Sequence, residues 1–322
     1  VKITIVTPAR AGSLHGNRHT AARWAALLRS LGHRVRVALD WDGTPADLMF
    51  ALHARRSHDS LRRFAAAHPD RPLVLVLTGT DLYRDIRSDA SARHSLRLAT
   101  RIVVLQEQGL AELAPELKGK TRVIYQSARA VRRPAPLQRC FEVAVSGHLR
   151  AEKDPFRCAM AAAHLPPESR IRIVHMGAAM SAAMGKAARS WGAREPRYAW
   201  LGRLPHRTAL RVLARSRLMV ISSRMEGGAN VVSEALAAGT PVVASRIPGN
   251  VGMLGRGYAG YFPVGNERAL ARLLWRAETD HAFYRALVSQ CRSRRGLVAP
   301  HGERAALKAL LAELRRLRPA AR

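Results

Sequence analysis

Lysine, acid and cysteine are all scarce in this chain of 322 residues, and each shortage excludes something. Only six of the 54 basic side chains are lysines (positions 2, 118, 120, 153, 186 and 308), against 23 acids, for a formal charge of +31. So strong an arginine-for-lysine bias reads as compositional drift, with an anionic substrate as a second contributor. A nucleic-acid partner would gather the charge on one patch or tail. Here residues 1–140 hold 24 basic and 11 acidic side chains and the remainder holds 30 and 12, so no nucleic-acid partner is expected. The three cysteines, Cys140, Cys158 and Cys291, are odd in number and form no CxxC. That excludes a disulfide framework and fits a reducing, cytoplasmic setting. Val1 opens directly into a strand-like run, without the charged segment and apolar core of a secretory signal. No apolar run approaches the roughly 18 residues of a bilayer span, so no stable membrane insertion is expected. The 13 histidines show no HExxH or paired spacing, which argues against a metal. GxGxxG is missing after Val6, which removes the dinucleotide-binding reading.

What is present is an ordinary folded composition, 48% hydrophobic and 24% charged. Short apolar runs alternate with longer amphipathic ones. Strands are expected at 3–7, 35–39, 47–52, 73–77, 102–105 and 122–125, with helices at 19–31, 57–67, 90–100 and 108–114. Residues 128–140, with two prolines, four arginines and no apolar period, read as a linker. The alternation then restarts, with strands at 142–146, 171–175, 197–201, 217–222, 241–245 and 260–264. Helices are expected at 155–164, 181–191, 206–215, 230–238 and 266–278, and a helical tail from 281 to 318 is broken near Gly296 and Pro300. Strand–helix alternation with buried apolar strands implies an α/β fold of two Rossmann-like domains with parallel sheets. The domains are placed at 1–130 and 141–300, around a linker at 131–140. A final helix over 301–322 is expected to pack back toward the first domain.

The richest segment runs from 219 to 245, MVISSRMEGGANVVSEALAAGTPVVAS. A strand ends at Ser222–Ser223, a glycine-rich turn follows, and a helix begins near Asn230. Free backbone N–H groups and the positive end of the dipole favour an anion there. Gly227 and Gly228 remove bulk so that a phosphate can approach. Glu226 on the turn and Glu234 one turn into the helix can face one ligand from different sides. A second string, Val145-Ser-Gly-His-Leu-Arg-Ala-Glu-Lys-Asp154, also joins a strand to a helix, with Arg150 and Lys153 three apart.

The pair Glu226-x7-Glu234 followed by ALAAGTPVVAS resembles the nucleotide-sugar motif of GT-B glycosyltransferases of the family 4 type. The resemblance implies two domains facing each other across a cleft. It gives the donor sugar and diphosphate to Glu226 and the amides of Gly227, Gly228, Ala229, Asn230 and Val231, and the ribose hydroxyls to Glu234. Gly147 through Lys153 is similar to that family's Gly-x5-Lys element, whose Arg150 and Lys153 would clamp the diphosphate and neutralise the leaving UDP. Tyr198-Ala-Trp-Leu-Gly202-Arg203 resembles the strand end that meets the uracil.

Two N-terminal strings complete the set. Thr7 to Thr20 is a long polar loop whose Gly12 and Gly16 allow close approach, while His15, Asn17 and Arg18 offer donors beside a helix start. Leu77-Thr-Gly-Thr80-Asp81-Leu-Tyr83 ends a buried strand, with Thr80 and Asp81 as candidate acceptor ligands. Together with Glu-Gly-Gly-Ala-Asn-Val-Val and Ser245-Arg-Ile-Pro-Gly-Asn-Val-Gly-Met-Leu-Gly255, these strings resemble the selenosugar synthases of selenoneine biosynthesis over about residues 1–290. That resemblance implies transfer of a sugar from UDP-GlcNAc or UDP-glucose to selenophosphate, with a carbon–selenium bond formed and no cofactor. The alternative is a GT-B enzyme with a carbohydrate or lipid hydroxyl acceptor. Asp40-Trp-Asp42 forms a DxD, read as a solvated strand end, and His175 as structural.

Overall fold

The computed structural model describes residues 1–9 and 16–317. The chain forms two compact units: Val1–Gln126 joined by the segment from Pro300 onward, and Ser127–Ala299.

The first unit is built on six strands: β1 Lys2–Val6, β2 Arg34–Ala38, β3 Leu48–Leu52, β4 Leu73–Val76, β5 Arg101–Val104 and β6 Thr121–Val123. All pairings are parallel, in the order β2-β1-β3-β4-β5-β6. The central strands are apolar at every position because both sheet faces are covered. Leu48, Phe50 and Leu52 of β3 enter one core with Val74, Val76 and Trp24, whereas Met49 and Ala51 enter the opposite core with Leu73, Leu75 and Phe64. That split is the period of two expected of a strand. The helix Gly16–Ser30 buries Ala21, Trp24, Ala25 and Leu28, and Trp24 meets Phe50 edge to face at 5.7 Å. It starts three residues before the expected position, so Gly16, Asn17 and Arg18 lie in its first turn rather than in a loop. The helix expected over 108–114 is a 3-10 helix, Glu107–Glu112. Pro115 disfavours helical backbone in the residue before it, and Ala114 is extended with ψ 146°.

The helix Pro300–Arg316 belongs to this unit. Leu307, Leu310, Leu311 and Leu314 join the core of Trp24 and Phe50. The buried Glu303 carboxylate accepts from Trp24 Nε1 at 2.7 Å and Arg23 Nε at 3.0 Å. Glu313 accepts from Arg101 on β5 and Arg122 on β6.

The second unit has β7 Phe141–Ser146, β8 Ile171–Met176, β9 Tyr198–Trp200, β10 Leu218–Ile221, β11 Val242–Ser245 and β12 Tyr261–Phe262. They are parallel in the order β12-β11-β10-β7-β8-β9. The helix Pro248–Leu254, with proline in its first turn, was not expected from a segment rich in glycine. Strand order reverses between β7 and β10 here, and between β1 and β3 in the first unit. Open α/β sheets bind ligands at such reversals, beyond the carboxyl ends of the strands.

Candidate functional site

In the second unit the two loops at the reversal are tied to each other. Ser222, just past β10, donates its hydroxyl to the carbonyls of Lys153 at 3.1 Å and Asp154 at 3.0 Å. Arg224 N–H donates to the Glu152 carbonyl at 2.9 Å. Glu226 is buried, and its Oε1 accepts from Ser223 Oγ at 2.6 Å and from Lys153 Nζ. The two charged residues singled out in separate motifs therefore meet at one oxygen. A small recess, open to solvent, lies between the loops and is lined by Gly147, Lys153, His175, Ser222 and Ser223.

Two glycines make this geometry possible, and neither was singled out from sequence. A Cβ at Gly249, in the helix after β11, would stand 1.9 Å from the Glu226 carbonyl oxygen. A Cβ at Gly177, past β8, would stand 1.9 Å from the Gly147 carbonyl oxygen. Both therefore let one backbone lie directly against another. The same Gly147 carbonyl accepts from His175 Nε2 at 3.1 Å, and His175 Nδ1 faces the Tyr198 hydroxyl at 2.8 Å. Complete burial pushes the His175 pKa down to about 4, so the ring is neutral and serves as a brace for the Gly147 loop. Its partner Tyr198 begins β9, and the Gly202 carbonyl beyond that strand accepts from Gly177 N–H at 2.8 Å. His148 Nδ1 accepts from Ala178 N–H at 3.0 Å. The strand ends that carry Gly147 and Gly202 are thus linked through the β8 end, while Arg203 is exposed.

The helix Asn230–Ala238 follows the turn Gly227-Gly228-Ala229, and Ala229 contributes no side-chain cap. The helix begins four residues past Glu226, and the free N–H groups of a helix's first turn suit an anion. Val231 sits in that first turn, and Glu234 follows one turn further. Glu234 Oε1 is 2.9 Å from Nε2 of His206, a residue sequence reasoning passed over. That bond raises the His206 pKa above its ordinary value. Arg150 precedes the short 3-10 turn Ala151–Lys153 in extended backbone.

In the first unit, Gly12 and His15 lie outside the described residues. Gly16 is exposed, and Asn17 and Arg18 are half-buried at the helix start. Thr80 is half-buried, and the fully buried Asp81 turns inward. Asp81 Oδ1 accepts from the N–H groups of Thr78 and Gly79, each at 2.9 Å, and Oδ2 accepts from Ala54 N–H at 3.0 Å. Its carboxylate shapes the turn on which Thr80 is presented. Asp42 of the DxD pairs with Arg36 and accepts from Thr44, which holds its carboxyl well below the usual range. Among the described residues, no group of three or more His, Cys, Asp or Glu side chains is placed to hold a metal ion. No helix among them is long and apolar enough to cross a membrane.

Residues 135–294 match the family Glycosyl transferases group 1. No curated protein matches the chain. Among solved structures, Anabaena Alr3699/HepE in complex with UDP and glucose is similar at 17% identity and TM-score 0.78, covering 97% of this chain and 99% of that one. Sucrose-phosphate synthase from Thermosynechococcus elongatus is similar at 16% identity and TM-score 0.76, covering 98% and 99%. A glycosyltransferase from Rickettsia africae follows at 12% identity and TM-score 0.72, covering 98% of each chain. The chain thus has the GT-B fold, and its residues 135–294 match the family model of glycosyl transferases group 1.

Proposed function

We propose that this protein transfers the sugar of a UDP-sugar, UDP-GlcNAc or UDP-glucose, to selenophosphate. The observation that carries the donor half is the meeting of Lys153, Ser223 and Glu226 beside the start of the helix Asn230–Ala238. An Anabaena protein of the same fold has been captured with UDP, with UDP-glucose, and with UDP and glucose, which supports a nucleotide sugar as donor. Glu234 would take the ribose hydroxyls, the Gly227–Val231 amides and Glu226 the diphosphate and sugar, and Arg150 and Lys153 the charge on the departing UDP. The acceptor half rests on the resemblance of the N-terminal strings and on Gly12, His15, Gly16, Asn17, Arg18 and Thr80 of the first unit, with Asp81 shaping the turn that presents Thr80.

A selenium lone pair forms the new bond to the anomeric carbon, and the carbon–oxygen bond to the diphosphate breaks with its electrons leaving on UDP. The nucleophile is already anionic, so a dedicated base is less needed than for a hydroxyl acceptor. Placement and charge neutralisation supply the rate. The test is to mix purified protein with each UDP-sugar, with and without selenophosphate, and follow UDP and selenium-bearing sugar. UDP release that depends on selenophosphate is expected. Turnover with carbohydrate or lipid hydroxyls and none with selenophosphate overturns the reading in favour of the hydroxyl-acceptor alternative.

A further inference from the structure

His53 stands one residue past β3, at the strand-order reversal of the first unit, and belongs to no motif discussed above. It is 2% exposed and has φ 77°, left-handed backbone that a non-glycine residue seldom adopts. Such outliers persist only where surrounding structure holds them, and they cluster at ligand sites. The hold is visible here: His53 N–H donates to the Val76 carbonyl at 2.9 Å, and its own carbonyl accepts from Ser57 N–H at 3.1 Å. The neighbouring Ala54 N–H donates to Asp81.

The ring's hydrogen bonds fix its tautomer. Nδ1 accepts from Arg56 N–H at 3.3 Å and therefore carries no proton, so a neutral ring has its proton on Nε2. Nε2 lies 3.0 Å from Thr80 Oγ1 and 3.8 Å from Asp85 Oδ2. Asp85 itself is held by Arg55 and Arg84. Burial lowers the His53 pKa, which keeps the ring neutral near pH 7. Nε2–H therefore donates to Thr80, and the threonine hydroxyl, with a lone pair engaged, has its own proton to give. At the same strand-order reversal, Thr7 follows Val6, which is in register with Ala51 of β3. The Thr7 hydroxyl is fully buried and without a hydrogen-bond partner among the described residues.

We infer that His53 is a positioning residue that presets the Thr80 hydroxyl as a hydrogen-bond donor to an oxyanion of the phosphate-bearing acceptor. The inference rests on the proposed placing of the acceptor in the first unit. It requires no proton transfer by His53, whose ring stays in one tautomer throughout.

The test is a double-mutant cycle with selenophosphate, using Thr80→Val, His53→Asn and the double variant. Asparagine tolerates left-handed backbone but lacks the imidazole donor. Each single change is expected to raise KM for selenophosphate about 10- to 100-fold, the effect of losing a hydrogen bond to a charged group, with UDP affinity by calorimetry unchanged. The double variant is expected to be no worse than the worse single one, and Thr80→Ser is expected to restore KM to within about threefold. Additive losses, or losses confined to UDP affinity or melting temperature, overturn the inference. Imidazole 15N shifts of the wild-type protein provide a check that needs no variant to fold: a proton on Nδ1 also overturns it. If the wild-type protein makes no selenium-bearing sugar, the proposed reaction fails separately. The His53 inference is then read from inorganic phosphate, whose binding should weaken in Thr80→Val and His53→Asn, and unaltered binding in both overturns it.

Discussion

Glu226 and Lys153 share a contact although 73 residues separate them, and this explains how two short motifs make one site. If Lys153 neutralises the departing diphosphate as proposed, replacing it by alanine removes charge needed more in the transition state than on binding. A loss of about 100-fold in kcat is expected, with UDP affinity within about threefold of wild type. Unchanged kcat with a raised KM would reduce Lys153 to ordinary binding. For Glu234→Ala, UDP affinity by calorimetry should fall by about 2–4 kcal/mol if, as proposed, its carboxylate accepts from two ribose hydroxyls. Its partner His206 gives a pH signature. The Glu234 bond raises the His206 pKa above its ordinary 6.5. The stability from that shift is fully present below the unfolded value and fades as pH climbs through the raised folded value. The melting-temperature gap between wild type and His206→Ala should therefore be widest below the ordinary 6.5 and narrow as pH rises above it, small throughout because the pair is partly solvated. A gap independent of pH argues that the contact does not persist in solution.

At the scale of strands and helices, the sequence was readable wherever one residue's pattern sufficed. Each expected strand forms, because a run such as Leu73–Val76 is apolar on both faces and has only one way to be buried. The helix Asn230–Ala238 and its flanking turn were readable for the same local reason: glycines, then small apolar residues, then Gly239. What could not be read depends on pairs distant in sequence. Nothing near Gly249 announces that the Glu226 carbonyl will lie against it, and nothing near His53 announces the Thr80 hydroxyl. Asp81 had the composition of a ligand residue, yet backbone N–H groups from two segments take its carboxylate. The helix Pro248–Leu254 was obscured because its glycines weaken the helical pattern while serving close packing. This packing can be probed: Gly249→Ala forces the Glu226 turn to shift, at a cost of about 1–3 kcal/mol in stability. UDP-sugar turnover is expected to fall at least about tenfold. Retained turnover would mean that the turn has room to spare.

At the scale of the whole molecule, the first unit is made from both ends of the chain. Glu303 is the clearest measure of that dependence, since its side chain is 1% exposed and pairs with Arg23 and Trp24. Glu303→Ala leaves a guanidinium and an indole N–H without their acceptor and is expected to destabilise the first unit by about 3–5 kcal/mol. Denaturant unfolding followed by tryptophan emission would measure the change, and a loss under about 1 kcal/mol would show that solvent replaces the carboxylate. The second unit is a single uninterrupted stretch, Ser127–Ala299. During synthesis, when residues emerge in order at about 5–20 per second, that stretch is complete before Leu307–Leu314 exists outside the ribosome. The part of the chain made first must therefore wait for the part made last. A chain that ends before residue 300 would hold every residue of the second unit but lack Leu307, Leu310, Leu311 and Leu314 from the core of the first.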